Sequence, residues 1–199
     1  MSEYLLPTPE AESSNLIVCN DLPGVPKLIS EIRSDRTGGQ PLRDRFYSLG
    51  QIIGGHWLQS YPTEDNGVII GIPRSGIPMS KGLSDLLPDY QYFVANGGAI
   101  TEHDQPNYIL IVDSVIVTGT TIKEIVERLP FNGEPNKLFV ISAVSHQDGI
   151  SRLLSLYPNL KLYVGEVETE IVTQWDPHCY RLKKTIPNIG DIGRLVSID

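Results

Sequence analysis

From Gly67 to Val167 the chain alternates short apolar runs with amphipathic stretches. Gly67 to Ile72, Tyr108 to Val112, Lys137 to Val144 and Leu160 to Val167 read as strands, with a shorter one at Gln91 to Ala95. A run without polar alternation suits a parallel strand covered on both faces. Helical spacing falls between them. It covers Gly76 to about Leu87, Gly149 to Leu156, and Ile122, Ile125, Val126 and Leu129, which stand at i, i+3, i+4 and i+7 before Pro130. Upstream, Phe46, Leu49, Ile52, Ile53 and Trp57 predict a helix within Leu42 to Ser60. Residues 1–41 are rich in Pro, Ser and Gly, and only Leu28, Ile29 and Ile32 hint at a short helix, so they are expected to form an N-terminal arm. Residues 42–199 are expected to form a single α/β domain, a parallel sheet flanked by helices with a ligand crevice at the carboxyl ends of the strands.

The segment Tyr108 to Ile122 carries the clearest chemistry. Its apolar run reaches Asp113 and then turns through Thr118-Gly119-Thr120-Thr121 into a helix, for which Thr121 and Glu124 have capping-box spacing. Hydroxyls and backbone N–H groups at a helix start suit an anion. Threonine and glycine also serve simply to cap helices, but an acid five residues before Thr118 adds a group for ribose hydroxyls or a metal. A sugar phosphate is the ligand this pairing predicts. Pro73-Arg74-Ser75-Gly76 leaves a neighbouring strand toward the same crevice. Arginine suits a diphosphate, although it is equally a surface salt-bridge residue.

The 199 residues carry a net charge of -8, which counts against nucleic acid as a partner. No apolar stretch has the length of a membrane span and the N-terminus has no signal-peptide pattern, so a cytoplasmic protein without a membrane partner is expected. Cys19 and Cys179 are far apart in sequence and form no metal spacing.

Five ordered segments resemble those of a type I phosphoribosyltransferase, most closely a uracil phosphoribosyltransferase. Arg43-Asp44-Arg45-Phe46 resembles the family's entry helix, and Gly71 to Met79 resembles its Leu-Arg-Ala-Gly-Leu-Gly-Met loop. Asp113 to Thr121 is similar to its Asp-Pro-Met-Leu-Ala-Thr-Gly-Gly-Ser motif. Gly149-Ile150, Tyr157-Pro158 and Leu162-Tyr163 follow in the family's order, and Ile186 to Gly193 resembles its C-terminal base-binding loop, or hood. The resemblance implies a homodimer that transfers a ribosyl group from Mg²⁺-bound phosphoribosyl pyrophosphate to a nitrogen of a pyrimidine-like heterocyclic base. It implies Asp113 and Arg74 as catalytic residues, with Ser75, Gly76, Val117, Thr118, Gly119, Thr120 and Thr121 on phosphates. It also implies Ile186, Gly190, Asp191 and Ile192 around the base, and it supplies no set of protein metal ligands.

The sequence departs from this pattern at several positions. Ser114 stands where the family has Pro and other type I members have a second acid, and Thr120 replaces a glycine. No Lys or Arg lies between Lys81 and Lys123, where the family carries a mobile-loop arginine; Glu102, His103 and Asp104 stand there instead. Asn188, Ile192 and Arg194 differ in the base loop, and the larger Ile192 is expected to narrow a uracil pocket. The alternative to an enzyme is a silent member that kept the pocket for sensing or partner regulation. Asp176, His178 and Cys179 are weak candidates, and Glu166, Glu168 and Glu170 are expected on a solvent face. His146 closes a strand at the expected crevice.

Overall fold

The computed structural model describes residues 15–35, 38–61, 66–95, 106–129, 138–176, 181–186, 189 and 196. β1 (Leu16–Val18), β2 (Gly67–Gly71), β3 (Gln91–Val94), β4 (Tyr108–Ile116), β5 (Leu138–His146) and β6 (Lys161–Glu168) form one sheet in the order β1-β6-β5-β4-β2-β3. Every neighbouring pair is parallel, as the unbroken apolar runs require. α1 (Val25–Ser34), α2 (Gly39–Leu58) and α3 (Gly76–Ser84) cover one face, while α4 (Thr120–Val126) and α5 (Gln147–Leu156) cover the other. β7 (Val172–Asp176) and β8 (Arg181–Thr185) form an antiparallel pair outside the sheet. Among the described residues no helix is long and apolar enough to cross a membrane.

Residues expected as an N-terminal arm contribute to this sheet from Leu16 onward. β1 pairs with β6 in the register Leu16 to Leu162, and Val25, Ile29 and Ile32 of α1 are buried against the same face as α2. A three-residue strand is too short to stand out as an apolar run among Pro, Ser and Gly.

The amino edge of the sheet is closed by aromatic rings. Trp57 at the end of α2 packs edge-on against Phe139 and Tyr108, at centroid distances of 5.4 and 5.6 Å, and stacks on Tyr61. Lys161 Nζ donates to the Tyr61 hydroxyl at 2.9 Å. Edge-to-face packing of this kind adds about 0.5–1.5 kcal/mol per pair beyond area burial.

Two glycines set the crossing of α2 and α3, and with it the position of the loop that precedes α3. A Cβ on Gly50 would stand 1.9 Å from the Met79 carbonyl oxygen, and one on Gly82 would stand 2.1 Å from that of Tyr47. At Gly55, on the same α2, a Cβ would meet nothing within 4 Å. Gly50→Ala is therefore expected to lower unfolding free energy by at least about 1–3 kcal/mol through overpacking. Gly55→Ala should instead raise it by roughly 0.5–1 kcal/mol through helix propensity. Urea unfolding of both variants checks this, and equal effects would show that the helices separate freely to admit a methyl group.

Candidate active site at the carboxyl edge of the sheet

The loop after β2 is held against β4 by backbone contact. Ile72 N–H continues the ladder to the Val112 carbonyl at 2.9 Å, the Pro73–Arg74 peptide bond is cis, and α3 begins at Gly76. A Cβ on Gly76 would lie 2.7 Å from the Val112 carbonyl oxygen and 3.3 Å from the Asp113 Cα. Glycine is thus needed here for close approach. The expected phosphate-binding Ser75 is buried, and its hydroxyl accepts from Ser114 Oγ at 2.5 Å. Ser114, which replaces Pro or a second acid, ties this loop to β4. Arg74 is exposed at the loop's tip.

Asp113 does not end its strand, as the apolar run suggested. β4 continues to Ile116, with Asp113 opposite Ser142 and Val115 opposite Val144. Backbone pairing with β5 carries the strand on past the acid. Asp113 keeps part of its surface open, yet the surrounding protein pushes its carboxyl up to about 7. Burial is the dominant cause, opposed by hydrogen bonds from the Val115 and Ser114 backbone N–H groups.

Val117 to Thr121 follow directly. Val117 packs its side chain against the core layer of α1 to α3, which leaves only its backbone for a ligand. Gly119 takes the left-handed conformation at φ 69° and occupies the N-cap of α4 without a side-chain cap. The capping box expected from Thr121 and Glu124 is therefore absent, because Gly119 starts the helix at Thr120 and leaves Thr121 inside the first turn. Thr120 tolerates its side chain because the positive φ belongs to Gly119. Thr118, Thr120 and Thr121 are exposed, and the hydroxyls of Thr118 and Thr120 are 3.0 Å apart.

Arg152 joins this loop and was missed in the sequence. Its Nη1 donates to Thr120 Oγ1 at 2.9 Å and to the Thr118 carbonyl at 3.3 Å. The available signal was its spacing from Gly149, one turn earlier on the same face of α5. Gly149 itself lies against the loop: a Cβ there would stand 2.8 Å from the Val117 carbonyl oxygen.

β5 ends at His146 as expected, and the side chain is buried. Its Nδ1 accepts from the Asp148 backbone N–H at 3.2 Å and so caps α5. On β6, Glu166 and Glu168 do not face solvent freely. Arg33 of α1 binds Glu166 and reaches Glu168 Oε2 at 3.1 Å; two residues apart on the strand, the carboxylates share one side. Glu170 is exposed. Ile186 is buried in the layer that also holds Val144, Ile189 and Val196. Gly190, Asp191 and Ile192 lie outside the described residues, as do His103, His178 and Cys179. Among the described residues no group of three or more His, Cys, Asp or Glu gathers as a metal site.

The uracil phosphoribosyltransferase model matches residues 63–194. The chain belongs to the uracil phosphoribosyltransferase family. It is 24% identical to the uracil phosphoribosyltransferase of Pyrobaculum arsenaticum, over 83% of this chain and 91% of that protein. It is 21% identical to that of Thermococcus gammatolerans, over 87% and 88%. Among solved structures, the AQ2163 protein from Aquifex aeolicus superposes with a TM-score of 0.68 at 18% identity, covering 92% of this chain and 97% of that one. That likeness confirms the shared fold of a parallel sheet with helices on both faces.

In this phosphoribosyltransferase the raised Asp113 carboxyl has a measurable consequence. The folded protein retains the proton up to about pH 7, whereas an unfolded aspartate loses it near its ordinary value of 3.8. Between these values the native state binds more protons, so this group's contribution to stability falls as pH rises and levels off above pH 7. Asp113→Asn removes that pH-dependent contribution. The variant's stability relative to wild type should therefore improve progressively from about pH 4 to pH 7 and stay constant beyond. Urea midpoints measured across this range check it; parallel curves for the two proteins would show that the carboxyl is hydrated and ionises normally.

Proposed function

We propose that the protein transfers a 5-phosphoribosyl group from phosphoribosyl pyrophosphate to a pyrimidine-like base, uracil giving UMP or a related heterocycle, with release of pyrophosphate. The observation that carries this reading is the meeting of two loops on one acid. Gly76 brings the Arg74 loop within backbone contact of Asp113, and the threonine loop follows from the same strand.

Loss of pyrophosphate from the sugar builds oxocarbenium character, so catalysis rests on neutralising the leaving group and placing the base nitrogen in line. Arg74, with the backbone at Ser75 and Gly76, takes the diphosphate. Val117 to Thr121 take the 5-phosphate, beside the positive charge of Arg152. Asp113 accepts from the ribose hydroxyls once ionised, so donor binding releases its proton near neutral pH. The family pattern assigns the base to Ile186 and to the segment Gly190, Asp191 and Ile192.

Mg²⁺ fits this donor set as an ion carried on the diphosphate. Asp113 offers a single carboxylate, and Ser114 is committed to Ser75. One or two carboxylates together with phosphates and water are an ordinary environment for Mg²⁺. When bound, the ion neutralises charge on the departing diphosphate. We propose that the enzyme acts in the cytoplasm as a homodimer. A silent, ligand-sensing member is the second reading, favoured by the lack of Lys or Arg between Lys81 and Lys123.

Arg74→Ala should weaken phosphoribosyl pyrophosphate by about 1.5–3 kcal/mol while leaving UMP nearly unchanged, because UMP carries no leaving group. Thr118→Ala combined with Thr121→Ala should weaken both ligands together. Calorimetric titration of each variant with each ligand is the check. A parallel loss on Arg74→Ala would make that residue a fold support, and unchanged affinity in the threonine double variant would remove the phosphate site. Pyrophosphate release measured against a base panel separates enzyme from sensor.

A further inference from the structure

His146 presents a buried donor that none of the described residues uses. The ring is 2% exposed, and its Nδ1 already accepts the Asp148 backbone N–H. The neutral ring therefore carries its hydrogen on Nε2, and Nε2 finds no hydrogen-bond partner among the described residues. The acids close at hand are engaged elsewhere. Glu168, opposite His146 in the β5–β6 register, accepts from Arg33 and from the backbone N–H groups of Thr169 and Glu170. The Asp148 carboxylate lies 3.7 Å from Nδ1, not Nε2. Two hydroxyls share the condition: Ser145 Oγ and Thr185 Oγ1 are buried and unpartnered among the described residues.

The position of the ring suggests what completes it. Buried donors are almost always paired, so an orphan at a ligand-binding strand end points to a partner that arrives with the ligand. By strand alternation His146 follows Val144, whose core layer includes Val115, Val117, Ile186 and Ile189. The ring thus stands at the carboxyl end of β5, on the sheet face whose buried layer also holds Ile186 and Ile189. The 5-phosphate loop and Asp113 lie on the β4 side of it.

We propose that His146 reads the acceptor base, donating its Nε2–H to an exocyclic oxygen of the heterocycle. This rests on the phosphoribosyl-transfer reading above. It gives the site a side-chain determinant of acceptor chemistry: a heterocycle with a carbonyl or enolate oxygen on that edge is favoured, and one with an amino group there faces another donor and is rejected.

Two substitutions separate this role from the helix cap. His146→Asn retains a short acceptor for the Asp148 N–H but has no atom at the Nε2 position. His146→Gln carries an amide donor about as far out as Nε2 and loses the cap. Initial rates are measured for wild type and both variants with uracil, 2-hydroxypyrimidine, 4-hydroxypyrimidine and cytosine, alongside thermal melting. The expected result is a roughly tenfold higher KM of His146→Asn for the preferred base, with the KM for phosphoribosyl pyrophosphate and the melting temperature near wild type. His146→Gln should melt lower yet keep the base KM closer to wild type. Removing the recognised oxygen from the base should cost the wild type the same factor and cost His146→Asn little more. If the wild type transfers to a base while His146→Asn keeps its KM for that base, His146 is only a cap and the proposal fails alone. A wild type that transfers to none of the four bases overturns the transferase reading, and this proposal with it.

Discussion

The site depends on backbone meeting backbone at two glycines. Gly76 lets the start of α3 lie on the Val112 carbonyl and the Asp113 Cα, and Gly149 lets the start of α5 lie on the Val117 carbonyl. A side chain at either position would displace a whole loop, because the obstructing atoms belong to the central strand or its direct continuation. Three strand ends are thereby locked to one another: β2 through the Arg74 loop, β4 through Asp113 and the threonine loop, and β5 through His146 and α5. The crossing of α2 and α3 at Gly50 and Gly82 anchors this arrangement from outside the sheet. Charge-bearing groups on such a frame need little reorganisation when an anion arrives, which is the condition under which electrostatic stabilisation is most effective.

The two edges of the sheet divide stability and chemistry between them. At the amino edge Trp57, Tyr61, Tyr108 and Phe139 form a closed aromatic cluster. At the carboxyl edge the same strands carry groups whose needs the fold leaves unmet. Asp113 is buried enough to hold its proton to about pH 7, and Ser145 and His146 find no partner among the described residues. An unpaired buried polar group costs about 1–3 kcal/mol; the amino edge has one too, Trp57 Nε1, but at the carboxyl edge they stand on the strand end that leads to the candidate site. Their persistence is understandable when a ligand completes the pairing.

Much of this was legible in the chain. β2, β4, β5 and β6 announced themselves as unbroken apolar runs because a parallel strand is buried on both faces. Asp113 and the threonine loop were visible because an acid followed by Thr and Gly interrupts such a run. The local geometry around them was less legible. The extent of β4 beyond Asp113 is set by pairing with β5, a partner about 30 residues away. Gly119 displaced the expected Thr121 cap because a left-handed residue ends the loop one step earlier than side-chain spacing suggests. β1 is too short to show a pattern, and Arg152 reaches the threonine loop only once α5 is folded against it.

The departures from the family pattern fit one electrostatic logic. A second acid at the Ser114 position would be buried beside a carboxylate that already resists ionisation, and like charges at that distance would raise both further. Serine instead holds the Arg74 loop through Ser75 and leaves Asp113 as the charge at that strand. Thr120, in place of glycine, accepts Arg152 and so draws a cation onto the loop expected to hold phosphate. With no Lys or Arg between Lys81 and Lys123, permanent positive charge must come from other segments. Arg74 supplies it from the β2 side and Arg152 from the β5 side, flanking the acid-bearing strand. On the proposed reading, such a site balances two phosphate-bearing ends around one titratable carboxylate, and its charge state is tied to the presence of the donor.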